Sequence, residues 1–208
     1  MLGTCPDICH AVTKLSQFAA NPSQDHLDRA CSICHYLAGA KNFTLVYDGD
    51  SQKGIYAYTD SDWAADKIKH WSITGYFFKL ANGIFSWCTH AQKTVAEAEY
   101  MAMSDYSWQA MWIKSLLSEL GLMLSVIPIY GDNQGSIFIG SNPVQEWQTK
   151  HIDTCHHYIR QCIEDKNIEL MFIEGSNNPA NMFTKNLGNI KFSKFRETLG
   201  LEFYSLSG

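Results

Sequence analysis

"IYAYTDSDWA", residues 55–64, is the stretch on which the fold turns. An apolar run that reads as a strand closes here on Asp60 and Asp62. Side chains along a strand alternate faces, so the two aspartates share one face. Asp and Ser are also ordinary turn formers, and one of them would suffice to end a strand. Paired carboxylates in apolar surroundings are uncommon, and they suggest a metal or acid–base site. What the rest of the chain brings to that face decides between the two readings.

The chain has 208 residues, enough for one large domain or one domain with an appendage. Its 46% hydrophobic content supports a buried core. No apolar run reaches the length of a membrane span, and the N-terminus lacks the pattern of a signal peptide. The expectation is a soluble, intracellular protein. The seven cysteines, odd in number and loosely spread, then read as reduced thiols. The net charge of −5 is unlike that of a typical nucleic-acid binder. A cluster of carboxylates would lower the net charge by itself, and bound cations would reverse its local sign.

Around the opening stretch the elements follow from periodicity. Ile8, Val12, Leu15 and Phe18 recur at helical spacing over residues 6–20. Ser23 is placed to N-cap a second helix that stops at Gly39, so the first 40 residues read as a helical hairpin. "FTLVYDGDSQKGIYAYTD" reads as two strands around a polar turn. "SITGYFFKLANGIFSWCTH" reads as a hairpin turning at Asn82-Gly83. A long helix from Glu97 to about Leu120 ends at Gly121. "VIPIYGD" is a short strand ending on Asp132, followed by a short helix and a loop. "KHIDTCHHYIRQCIEDK" is a helix, "IELMFIEG" a strand, and "NPANMFTKNL" a helix entered through proline. A last short helix is expected after Gly188. Strands that meander and then alternate with helices predict an α/β fold, a mixed sheet covered by helices.

Asp60 and Asp132 both end strands, where sites gather in open α/β sheets. Glu97 and Glu99 open the long helix, whose dipole favours acidic residues; for Glu97 that explanation suffices. Asp60, Glu99 and Asp132 could converge, and converging carboxylates repel unless a cation lies between them. Hard oxygen donors suit Mg²⁺ or Mn²⁺.

"YTDSDWA", "EAEYMAMS", "DNQGSI", "KHIDTCHHYIR" and "NPANMFTKNL" follow in one order with sensible gaps. Together they resemble the ribonuclease H domain of copia-type LTR retrotransposon polyproteins, over about residues 54–187. The helical start resembles the segment joining reverse transcriptase to ribonuclease H. The resemblance implies a five-stranded mixed sheet flanked by helices, with an N-terminal helical hairpin. The expected organisation is a connection-like hairpin over 1–45, a ribonuclease H-like domain over 46–190 and a tail over 191–208. It implies Mg²⁺- or Mn²⁺-dependent cleavage of the RNA strand of an RNA–DNA hybrid. It implies partnership with the reverse transcriptase of the same polyprotein and no membrane. The compartments implied are the cytoplasm, the nucleus or virus-like particles. By motif position the metal-binding, catalytic set is Asp60, Glu99, Asp132 and Asn181. Asp62 is left as a strand-end or supporting group.

The chain departs from that pattern at three places. Asn181 stands where the family has its fourth carboxylate, which removes a charge while keeping an oxygen donor. Ala96 runs straight into Glu97, where the family has about four more residues, and an extended residue spans about 3.3 Å. His70-Trp71 replaces a basic pair, which takes away phosphate contacts that supply most non-specific affinity. The resemblance therefore leaves two readings, a weakened ribonuclease H and a catalytically silent remnant that binds nucleic acid or a protein partner.

Asn133 and Gln134 carry amides that could reach hybrid 2′-hydroxyls, with Asn133 equally explained as a helix N-cap. Ser72 and Thr74 are further nucleic-acid candidates. Cys5, Cys9 and His10, with Cys31, Cys34 and His35, have zinc-like spacing, but the structural reading of these residues is preferred. His151 is a weak candidate for a supporting or phosphate contact. Trp63, Trp87, Trp108 and Trp112 read as packing residues.

Overall fold

The computed structural model describes residues 4–49, 54–62, 72–92, 95–133 and 150–204, and of 92, 95–102, 150–153 and 156 the backbone alone. The segments holding Trp63, His70-Trp71 and Gln134, and the short helix and loop expected after Asp132, lie outside the described residues.

Pro6 opens a 3₁₀ turn, Pro6–Ile8, that runs into helix α1, Cys9–Ser16. The regular helix is shorter than the 6–20 periodicity suggested. Helix α2, Gln24–Gly39, starts after Ser23 as expected. The Ser23 N–H donates to His26 Nδ1 at 3.0 Å, so a histidine fills the place usually held by Glu or Gln in a capping box. Phe18 stacks on the His26 ring at 4.0 Å and closes the hairpin.

Strands β1 (Phe43–Leu45), β2 (Tyr56–Asp62), β3 (Ser72–Leu80) and β4 (Gly83–Gln92) follow. Then come α3 (Val95–Glu119), β5 (Ile127–Gly131), α4 (Lys150–Glu164) and β6 (Ile168–Phe172). After α3, Gly121 adopts φ +77, and the Leu122 N–H reaches back to the Leu117 carbonyl at 2.8 Å. That is the glycine stop read in the sequence. Two 3₁₀ turns, Gly175–Asn177 and Pro179–Phe183, precede α5 (Asn189–Thr198) and β7 (Leu201–Phe203). The main sheet has five strands in the order β4-β3-β2-β5-β6. β2 is antiparallel to β3 and parallel to β5, and β5 is parallel to β6. This is the mixed, helix-flanked sheet expected.

Three local expectations are corrected. β1 does not pair with β2; it pairs antiparallel with β7, Phe43 opposite Phe203. Arg196 of α5 lies over the Phe43 ring at 3.7 Å, and the Val46 N–H donates to Gly200 O at 2.8 Å, so the C-terminal segment holds β1 away from β2. The hairpin turn is Ala81-Asn82, one residue earlier than expected, with both residues at positive φ and Leu80 opposite Gly83. Gly83 is a glycine for space: a Cβ there would meet the Tyr47 ring at 2.6 Å. "NPANMFTKNL" forms only the five-residue 3₁₀ turn, entered through Pro179. The Asn181 amide donates to Asn178 O at 2.8 Å, and such side-chain bonds to backbone compete with a continuing helix.

Each face of the sheet carries a core. On one, α3 and α4 bury Met103, Tyr106, Ala110, Ile113 and Ile159 against Ala57, Phe78, Ile127 and Ile129. On the other, Phe77 and Ile84 pack with Phe183, Phe195, Leu199, Leu201 and Cys9. Cys9 from the first helix and Leu201 from the last strand thus share one core. Trp87 packs against this second core. Trp108 is 61% and Trp112 58% exposed, so neither is a core residue; Trp108 stacks on Tyr158 between α3 and α4 at 4.3 Å.

The second layer approaches the sheet closely at Gly75. A Cβ there would lie 2.3 Å from Phe183 Cβ and 3.0 Å from Thr184 Cγ2. Overpacking of this kind costs about 1–3 kcal/mol, so Gly75→Ala is expected to lower the urea midpoint accordingly and to loosen the turn over Asp60. Protection of the Thr184 and Lys185 amides in hydrogen exchange checks the second part. A second expectation concerns His10, which is 6% exposed and whose Nε2 has no partner among the described residues. Burial, reinforced by Lys14, pushes its imidazole down to about 4 from 6.5. Between those values the unfolded chain binds the extra proton, so stability falls as pH drops through this window. The loss is up to about 3 kcal/mol, and denaturant melts of His10→Leu are expected to lack that component.

Candidate functional site

Asp60 lies where β2 leaves the sheet centre, on the face covered by the second core. Its register partner on β3 is Gly75. Because that glycine has no side chain, the Pro179–Phe183 turn rests directly on the sheet and delivers residues 181–185 to Asp60. Asn178 fixes the entry to the turn. Its Nδ2 donates to Thr59 O at 2.8 Å, and its Oδ1 accepts the Ala180 N–H at 3.1 Å.

Asp60 as a residue is 3% exposed, and both its carboxylate oxygens accept hydrogen bonds. The Thr184 hydroxyl donates to Oδ2 in a short hydrogen bond. Lys185 Nζ donates to Oδ1 at 3.2 Å. The same ammonium donates to Asn181 Oδ1 at 2.8 Å. The Asn181 amide is spent on two backbone carbonyls, Gly175 at 2.7 Å and Asn178 at 2.8 Å. Only an NH₂ can serve those two acceptors, so the carbonyl must point at the lysine.

Asp132 joins from the neighbouring strand. β2 and β5 are parallel with Tyr58 opposite Tyr130, so Asp60, still within β2, and Asp132, just past β5, each lie two residues beyond that pair. Asp132 packs on Gly175, where a Cβ would fall 2.6 Å from its Oδ2. Burial pushes the Asp60 carboxyl above the usual carboxylate range. The Lys185 charge and the Thr184 hydrogen bond pull it back, and the Asp132 charge adds to the push.

The other sequence candidates fall in different places. Glu99 lies near the start of α3, which covers the opposite face of the sheet; its side chain is outside the described residues, as is that of His151. β4 ends at Gln92 and α3 begins at Val95, two residues before the Glu97 start read in the sequence. Asp62 ends β2, two residues beyond Asp60 on the same face. Asn133 follows Asp132 and is partly buried. Ser72 and Thr74 lie on the α3 side of β3 and are 0% and 3% exposed, so their hydroxyls are interior groups in this arrangement. Cys9 and His10 are buried whereas Cys31 and Cys34 are exposed on α2. Among the described residues, no group of three or more His, Cys, Asp or Glu could hold a metal ion, so the zinc-like pairs do not come together. Sequence reasoning missed Thr184, Lys185 and Gly175. The spacing of Asn181 and Lys185, four residues apart where one helical turn brings side chains together, was the available signal.

No family model matches the chain. It is 37% identical over 205 residues to the retrovirus-related Pol polyprotein from transposon TNT 1-94 of Nicotiana tabacum, covering 97% of this chain and 15% of that polyprotein. It is 36% identical over 203 residues to the corresponding polyprotein from transposon RE1 of Arabidopsis thaliana, covering 95% of this chain and 14% of that one. The chain therefore spans about one seventh of the length of these relatives. Among solved structures it is similar to LC11-RNase H1, isolated from compost, with 15% identity, a TM-score of 0.47, and coverage of 68% of this chain and 96% of that one. Along nearly its whole length the chain is homologous to one stretch of the retrovirus-related Pol polyproteins of these plant transposons.

Proposed function

We propose that this domain cleaves the RNA strand of RNA–DNA hybrids, by metal-dependent phosphodiester hydrolysis during reverse transcription. The observation that carries the reading is Asp60, a buried carboxylate next to Asp132 at the carboxyl ends of two parallel strands. A buried carboxylate beside a second one is costly unless a cation serves it. The donors are all oxygen: two carboxylates and the Asn181 carbonyl. That chemistry suits Mg²⁺ or Mn²⁺, which accept few protein ligands and keep several waters. Asp60 and Asp132 would hold the ion, Asn181 would support it, and Glu99 is the second carboxylate by motif. When bound, such an ion supplies an activated water and offsets charge on the leaving oxygen. The chain's own part is to fix the carboxylates: Thr184 orients Asp60, and Gly175 seats Asp132. Asn133 and Gln134, beside Asp132, are the amides proposed to meet 2′-hydroxyls of the hybrid.

The partners proposed are the hybrid and the reverse transcriptase of the same polyprotein. Among the described residues no helix is long and apolar enough to cross a membrane. One observation favours the second reading, a silent domain that binds hybrid without cutting it. Asn181 is neutral, and its carbonyl is already engaged by Lys185.

A labelled hybrid, incubated with the protein and Mg²⁺ or Mn²⁺, separates the readings. The expected result is slow cutting, better in Mn²⁺, with Asn181→Asp faster by roughly tenfold to a hundredfold, the scale of a charged hydrogen-bonding group. Asp60→Asn is expected to abolish cutting. If neither the natural chain nor Asn181→Asp cuts, the silent reading replaces this one.

A further inference from the structure

We propose that Lys185 is the resident counter-cation of the carboxylate site, and that a divalent ion is admitted only as its ammonium swings out. This rests on the reading that Asp60, Asp132 and Asn181 form a cation site.

The argument starts from the position of Nζ. It lies 3.2 Å from Asp60 Oδ1 and 2.8 Å from Asn181 Oδ1, so it donates to two of the three groups expected to serve an ion. An Mg²⁺ ion would bind such oxygens at about 2.0–2.1 Å, so ion and ammonium compete for the same lone pairs and repel each other as like charges. The backbone makes this placement a feature of the turn. The Lys185 N–H donates to Asn181 O at 3.0 Å, which stacks the two side chains one above the other. The Asn181 amide cannot rotate away without losing Gly175 and Asn178 as acceptors.

Charge then decides the outcome. Among the described side chains Asp60 and Asp132 supply two negative charges, and Lys185 cancels one. A neutral residue at 181 leaves the site with too little charge to attract a divalent ion strongly while the lysine stays. The lysine also has an exit, since its side chain is 37% exposed whereas that of Asp60 is 1% exposed. Lys185→Met and Asn181→Asp should therefore reach the same net charge by different routes. Lys185→Met does so without adding a single donor oxygen.

The test is Mn²⁺ binding by the full chain, read from the free-ion paramagnetic resonance signal. It compares the natural chain with Lys185→Met, Lys185→Arg and Asn181→Asp. Lys185→Met is expected to bind Mn²⁺ at least tenfold tighter, while Lys185→Arg, which keeps the charge, gains nothing. If Lys185→Met binds no tighter although Asn181→Asp binds well, the role given to the lysine is overturned and the metal reading stands. If no variant binds Mn²⁺, the metal reading falls and this inference with it. Two further measurements need no metal-binding gain. In metal-free buffer Lys185→Met is expected to lower Tm, and adding Asp60→Asn to recover most of the loss; absence of that coupling overturns the proposal. In the natural chain, acylation of Lys185 followed by mass spectrometry is expected to speed up as Mn²⁺ is added. An unchanged rate at saturating Mn²⁺ overturns the swing.

Discussion

The arrangement depends on how closely a 3₁₀ turn approaches a β-strand. Phe183 lies against Gly75 with no room for a methyl group between them. That contact sets the height of the second layer above the sheet. It places the Thr184 hydroxyl and the Lys185 ammonium on the carboxylate of Asp60, which is Gly75's partner in the antiparallel register. Phe183 itself packs with Phe77, Phe195 and Leu199, so apolar burial holds the polar contacts in place. The buried carboxylate is tolerable because the same turn that covers it also neutralises it.

Much of the sheet was legible because strand and helix periods differ and glycines punctuate the chain. The Asp60 strand, the Asp132 strand and the stop at Gly121 needed only local reading. What failed was non-local. Nothing between residues 43 and 47 announces a partner near residue 201, and hairpin logic naturally gives β1 to its neighbour in sequence. The turn at Ala81-Asn82 was misplaced by one residue because Asn-Gly is a strong hairpin signal. Gly83 is required there by the ring of Tyr47, a contact between distant segments. The helix expected over "NPANMFTKNL" shrank to one turn because Asn178, Asn181 and Thr184 bond to backbone or to Asp60, where propensity sees only ordinary residues.

The site was half legible for a related reason. Carboxylates can be counted in a sequence, and motif order selected Asp60, Glu99, Asp132 and position 181. What neutralises a carboxylate cannot be counted in the same way. Lys185 looks like a surface lysine until the turn folds over the sheet. Ser72 and Thr74 look like surface hydroxyls until β3 is placed in the centre of the antiparallel part of the sheet with its alternate side chains under α3.

The β1–β7 ladder carries a consequence for the order of assembly. The β3–β4 hairpin closes a two-residue loop, whereas Phe43 must wait for Phe203. Loop-closure entropy makes that ladder late, and the helical hairpin, whose Tyr36 packs on Phe192 and accepts from Arg196, waits with it. On a ribosome these helices emerge before the rest of the second core that they join. They dock only after the last turns of the domain have been synthesised. A chain paused before residue 195 would have the strands of its main sheet but lack Phe195, Leu199 and Leu201 from the second core, a state open to chaperones and proteases. The earliest-made part of this domain is thus among the last to become safe.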